Sequence, residues 1–125
     1  MRLPALAARK VLVVDDSVDA AQSLGLLLTG MGCDVQVAHD GLAALESARS
    51  NRPDVVLLDI SMPGIDGYGV VQRLRQEPDF RAVPFVAVTG LGREEDRQRS
   101  RDAGFDEHLV KPIAPEVLRS ALERL

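Results

Sequence analysis

Five short apolar runs recur along the chain, each separated from the next by enough residues for one helix: "VLVV" (Val11–Val14), "DVQVA" (Asp34–Ala38), "VVLL" (Val55–Leu58), "FVAV" (Phe85–Val88) and "HLV" (His108–Val110). Three of them are unbroken rather than alternating. An unbroken Val/Leu run suits a strand buried on both faces, as in a parallel sheet covered by helices.

The segments between the runs carry helical spacing. In the first, Ala21, Leu24, Leu28 and Met31 fall on one stripe, with Ser17 as N-cap and Gly30 or Gly32 as the stop. Gly25 inside it costs about 1 kcal/mol relative to Ala. Asp40 caps a second helix bearing Leu42, Leu45 and Ala48. A third carries Val70, Val71 and Leu74 after the turn signal "PGIDG". The fourth, "REEDRQRSRDAG", opens with acids, which suit the helix dipole, and ends at Gly104. The last places Pro115 near its first position and a stripe of Val117, Leu118, Ala121 and Leu125 on one face.

The result is βα repeated along the whole chain. It predicts an α/β fold: a single (βα)5 doubly wound domain with right-handed crossovers and a parallel five-stranded sheet of order 2-1-3-4-5. A chain of 125 residues fits one such domain and is long enough to bury a core. The opening "MRLPALAARK" is short in apolar residues and broken by Pro4, a poor signal peptide; residues 1–9 read as a lead-in or linker remnant ahead of a domain over 10–125. Nothing reaches the length of a membrane span. A lone Cys33 fits a reducing cytoplasm and is expected to be a buried or partly buried residue without chemistry. The net charge of −4, with acids interleaved among the arginines of "GREEDRQRSRD", argues against nucleic-acid binding and makes that stretch a solvated helix face.

The polar residues that follow the runs are more informative. The first run ends in Asp15 and Asp16, the third in Asp59, the fourth in Thr89 and the fifth in Lys111. In a parallel sheet all the strand C-termini share one edge, and ligands bind outside it where strand order reverses, here between the first and third strands. Carboxylates clustered there, with no His or Cys expected nearby, form a hard-oxygen site suited to Mg²⁺.

The acid pair, "LLDISMPGIDG", "TG" and "KP", in this order and at these strand ends, closely resemble the receiver domains of two-component signalling. These CheY-like, flavodoxin-like modules are the phospho-accepting units of response regulators and hybrid histidine kinases. The resemblance covers Lys10 to Leu125. It implies that Asp59 is the phosphoacceptor and that Asp16 ligates Mg²⁺ directly, Asp15 mainly through water. It further implies that the Ser61 backbone carbonyl completes the coordination alongside Asp59. Lys111 would contact the phosphoryl group, or Asp59 before phosphorylation. Thr89 would swing toward the phosphoryl group as a switch residue, and Lys111–Pro112 would be cis. The implied partner is a histidine kinase or histidine phosphotransfer protein, in the cytoplasm, with the chain a monomer or weak dimer.

One position departs from the pattern. Receivers commonly place Tyr or Phe three residues before the lysine, where its rotation tracks phosphorylation; this chain has His108, which stands with Thr89 as a candidate switch residue and by itself reads as a partly exposed strand residue. The segment from "GREED" to "VKP" is most similar to receivers attached to hybrid histidine kinases. Two other functions fit the same fold less well. A phosphohydrolase of haloacid-dehalogenase type would need an acid two residues after Asp59, where Ser61 stands. A nucleotide- or flavin-binding domain would need a Gly-rich phosphate loop after the first strand.

Overall fold

The computed structural model describes residues 8–125. The lead-in expected over 1–9 lies largely outside the described residues. The chain runs β1 (Lys10–Val14), α1 (Val18–Gly30), β2 (Asp34–Ala38), α2 (Gly41–Ser50), β3 (Val55–Asp59), α3 (Gly67–Arg75), a 3₁₀ turn (Pro78–Phe80), β4 (Phe85–Thr89), α4 (Glu94–Ala103), β5 (Glu107–Val110) and α5 (Pro115–Glu123). All pairings are parallel and the sheet order is β2-β1-β3-β4-β5, as the sequence predicts.

Because side chains alternate across a strand, each buried run feeds two cores. Leu12, Val14, Val56, Leu58, Phe85 and Ala87 face the layer of α2 and α3, where they meet Leu45, Val70, Val71 and Leu74. Val11, Val13, Val55, Leu57, Val86 and Val88 face α1 and α5, meeting Leu28, Leu118 and Leu122. That two-sided demand explains why the central runs are unbroken. Cys33 is buried in the second core, and burial pushes its thiol pKa up despite the nearby Arg9 and Arg119.

The caps follow the sequence. Ser17 Oγ accepts from Ala20 N, Asp40 Oδ1 from Ala43 N, and Gly104 ends α4 at φ +117°. Two stripe residues are corrected. Leu42 is 67% exposed and Val117 49%. Each lies in its helix's first turn, beyond the buried stripe of Ala44, Leu45 and Ala48 in α2 or Leu118, Ala121 and Leu122 in α5.

Arg75 ties several loops together. Its Nη1 donates to the carbonyls of Phe80, Arg81 and Val83, and its Nη2 to Gly104 O and Asp106 Oδ2. The guanidinium also stacks 4.5 Å from the Phe85 ring centroid, and Asp106 in turn accepts from Phe85 N.

Candidate functional site

The strand C-termini deliver their polar residues to one edge. Asp59 closes β3 and is paired in register with Val88, one residue before Thr89 at the end of β4. Asp15 follows β1 directly and Lys111 follows β5. Carboxylate oxygens of Asp15, Asp16 and Asp59 lie within 4.8 Å of one another.

Each acid is held differently. Asp15 is buried; its Oδ1 accepts from Ser17 N at 2.9 Å and its Oδ2 from Lys111 Nζ at 2.8 Å. Asp59 is buried too, and its Oδ1 accepts from Ser61 N at 3.1 Å while Lys111 Nζ stands 3.6 Å from its Oδ2. Asp16 is exposed and, among the described residues, has no hydrogen-bond or ion-pair partner. The expectation of no nearby histidine is corrected. His39, just past β2, directs Nδ1 at the Asp15 carbonyl, 3.1 Å away. A carbonyl only accepts, so that nitrogen is a donor and not a metal ligand.

Burial pushes the Asp59 carboxyl up to about 6. The Ser61 N–H and Lys111 pull it down, and Asp15 pushes it up again. Lys111 moves the other way. Its burial favours the neutral amine, but the hydrogen bond to Asp15 and the charges of Asp59 and Asp15 outweigh that and raise its pKa. The site therefore holds a net excess of negative charge in an edge that is half shut from water. With Asp15 held by Lys111, Asp59 and the exposed Asp16 are the carboxylates open to a cation, a donor set that suits the preference of Mg²⁺ for one or two carboxylates plus water and phosphate oxygens.

Gly67, the first residue of α3, sets the site's floor. Its N–H donates to Ile60 O at 3.0 Å. A Cβ there would lie 2.6 Å from Asp59 O and 2.7 Å from Ile60 Cα. Only glycine lets the helix start against the backbone of Asp59. Sequence reading took "PGIDG" as a turn and missed this role; Asp66, whose Oδ1 caps α3 at Gly69 N, was the available signal.

Thr89 is buried, and its Oγ1 accepts from Leu91 N at 3.1 Å. The Lys111–Pro112 bond is cis, as the resemblance implied. His108 is buried and not partly exposed, which corrects the expectation. It is buried under α4, with Nδ1 2.9 Å from Ser100 Oγ and Nε2 2.7 Å from Leu91 O. Sequence reading also missed Ser100, the one buried residue of the polar helix α4.

A family model described as response regulator receiver domain matches residues 11–123. The chain is 37% identical over 123 residues to the gliding motility regulatory protein of Myxococcus xanthus, covering 98% of this chain and 16% of that one. It is 38% identical over 117 residues to a probable transcriptional regulator of Cyanophora paradoxa, covering 94% and 48%. The chain thus spans at most about half of these two relatives. Among solved structures, the chemotaxis response regulator CheY4 of Vibrio cholerae superposes with a TM-score of 0.89 at 34% identity, covering 94% of this chain and 98% of that one. The receiver domain of a sensor histidine kinase from Pseudomonas aeruginosa, solved with a magnesium ion coordinated in its active site cleft, gives 0.87 at 30% identity, covering 94% and 97%. With the sheet order, the acid cluster and the family match in agreement, the chain belongs to the response regulator receiver domains of two-component signalling.

Proposed function

We propose that the domain, read as residues 10–125, accepts a phosphoryl group from a phosphohistidine onto Asp59 and switches conformation to control a partner. The observation that carries this is the Asp59 carboxylate: buried at the sheet edge, raised to about 6, and flanked by one lysine and two further acids. A carboxylate of that pKa is largely ionised at pH 7 yet more basic than an ordinary aspartate, which favours it as a nucleophile. One Asp59 oxygen attacks phosphorus, the P–N bond to the donor imidazole breaks, and the bonding pair leaves with the ring nitrogen.

The transferring group is highly charged, so catalysis is mainly positioning and neutralisation. Asp15, Asp16, Asp59 and the Ser61 backbone carbonyl would hold Mg²⁺, which when bound neutralises phosphoryl oxygens. Lys111 needs only to move from Asp15 to a phosphoryl oxygen. Ser61 N–H orients the nucleophile. The Thr89 hydroxyl exchanges the Leu91 N–H for a phosphoryl oxygen, to which it donates. The phosphoryl group carries roughly −1.5 to −2 charges and replaces the single charge of the carboxylate, so a larger and more extended anion at this edge is the switching event.

The donor, a histidine kinase or a histidine phosphotransfer protein, has a route in. An open groove of mainly apolar lining, with Ala20, Leu24, Leu27, Pro112 and Ile113, runs up to Asp15 and Lys111. The test is intact mass after incubation with a small phosphodonor, with Mg²⁺ or EDTA, on wild type and Asp59→Asn. A Mg²⁺-dependent gain of one phosphoryl group, absent in the variant, is expected. No gain in wild type, with a histidine donor also supplied, would refute phosphotransfer.

A further inference from the structure

Four residues form a hydrogen-bonded set that leads away from the acids. Leu91 gives its N–H to Thr89 Oγ1 and its carbonyl to His108 Nε2. His108 Nδ1 reaches Ser100 Oγ on α4. The ring is 9% exposed and Ser100 0%. A carbonyl only accepts, so Nε2 carries the hydrogen. In the neutral ring Nδ1 is then a bare acceptor, and the Ser100 hydroxyl donates to it. Ser100 Oγ also lies 3.0 Å from Arg97 O, but its single hydrogen serves one acceptor at a time. The Arg97 carbonyl, inside α4, has a helical N–H to accept.

A ring engaged at both nitrogens has no free rotation. Turning it outward would break both of its hydrogen bonds, leaving the Ser100 hydroxyl to Arg97 O and the part-buried Leu91 carbonyl without its protein donor, which is unfavourable. An unanchored ring at this position swings at little cost; this one does not.

We propose that His108 is a fixed positioning residue that couples Thr89 to α4 through Leu91 and Ser100, in place of a rotating aromatic switch. The proposal rests on the phosphoacceptor reading above. When the Thr89 hydroxyl turns to a phosphoryl group, the Leu91 N–H loses its acceptor or follows it. The Leu91 carbonyl, on the next peptide across the same Cα, is displaced with the residue, the clamped imidazole moves with the carbonyl, and Ser100 passes the displacement to α4. The output is a shift of a helix, not a new rotamer at His108.

The test is NMR of the full chain, free and with beryllofluoride plus Mg²⁺ as the phosphoryl probe. Imidazole nitrogen and backbone amide signals are read in wild type, Ser100→Ala and His108→Phe. We expect the Nε2–H tautomer and an unchanged His108 rotamer in both states of wild type. Thr89, Leu91 and the α4 amides shift together on loading. In Ser100→Ala the Thr89 shift persists and the α4 shifts are lost. A rotamer change at His108, or α4 shifts that survive in Ser100→Ala, overturns the clamp alone. Absence of any shift at Asp59 and Thr89 in wild type overturns the phosphoacceptor reading and the clamp with it. Should His108→Phe fail to fold, Ser100→Ala and the wild-type tautomer decide.

Discussion

Lys111 Nζ lies 2.8 Å from Asp15 Oδ2 and 3.6 Å from Asp59 Oδ2, so the lysine is nearer to the expected metal ligand than to the expected phosphoacceptor. Its ammonium occupies part of the field that a divalent cation would use. In this arrangement a divalent cation would compete with the lysine for Asp15.

Replacing Lys111 with Met removes the competitor. Mg²⁺ affinity is expected to rise roughly tenfold, about 1.4 kcal/mol. The same variant loses about 1 kcal/mol of stability in EDTA, a buried-pair cost discounted because the lysine is partly exposed. Calorimetric titration with Mg²⁺ reads the first effect and urea unfolding the second. Weaker Mg²⁺ binding in Lys111→Met would contradict the competition.

Asp59 sets a pH dependence of known sign. Its carboxyl titrates at about 6 in the fold, because burial disfavours the charged form, and near 3.9 when unfolded. Between those values the folded state binds more protons. This group's contribution to stability therefore falls as pH rises from about 4 to about 6, and stays low above that. Asp59→Asn is expected to stabilise the metal-free protein at pH 7 by on the order of 1–2 kcal/mol, with the gain vanishing below about pH 4. Urea midpoints at acid and neutral pH check it; parallel pH profiles for the two proteins would rule it out.

Two glycines predict opposite outcomes for one substitution. At Gly25 an added Cβ would sit 3.6 Å from Val35 Cγ1 and 3.7 Å from Val37 Cγ2, ordinary contact, inside a helix. Gly25→Ala should stabilise by about 0.5–1 kcal/mol. At Gly67 the same atom meets backbone at 2.6 Å, and Gly67→Ala should destabilise by about 1–3 kcal/mol. It should also slow phosphorylation, since the clash is with Asp59's own carbonyl. Thermal unfolding of both variants, with opposite shifts of midpoint, is the check.

Arg75→Lys keeps the charge and loses the fork. A single ammonium cannot serve the carbonyls of Phe80, Val83 and Gly104 together with Asp106, and the stacking on Phe85 is lost. A loss of about 2–3 kcal/mol is expected, with phosphorylation of Asp59 retained. Chemical denaturation alongside the intact-mass assay separates the two; a wild-type midpoint in Arg75→Lys would show the network to be redundant.

The fold and the acid cluster were legible because both follow from strand positions. Runs of Val and Leu announce buried strands, and the residue ending each run must sit at the shared edge. What was not legible depends on which side chain reaches which. Arg75 reads in "RLRQE" as one more helix-surface arginine, and only the fold brings the loops after α3 and α4 to it. Ser100 hides in a polar helix for the same reason: hydropathy marks exposure by composition, and one buried hydroxyl leaves no trace in it. Leu42 and Val117 fit the helical period, yet first-turn residues can extend past the layer they cover.

Leu91 takes part in the relay through its peptide groups alone, while its side chain is 51% exposed. Its main chain and its side chain are thus separable in evolution. Nineteen of the twenty amino acids supply the same N–H and carbonyl, and only proline severs the link. What a partner or a water molecule meets at this surface can be rewritten residue by residue, leaving the wiring beneath it intact.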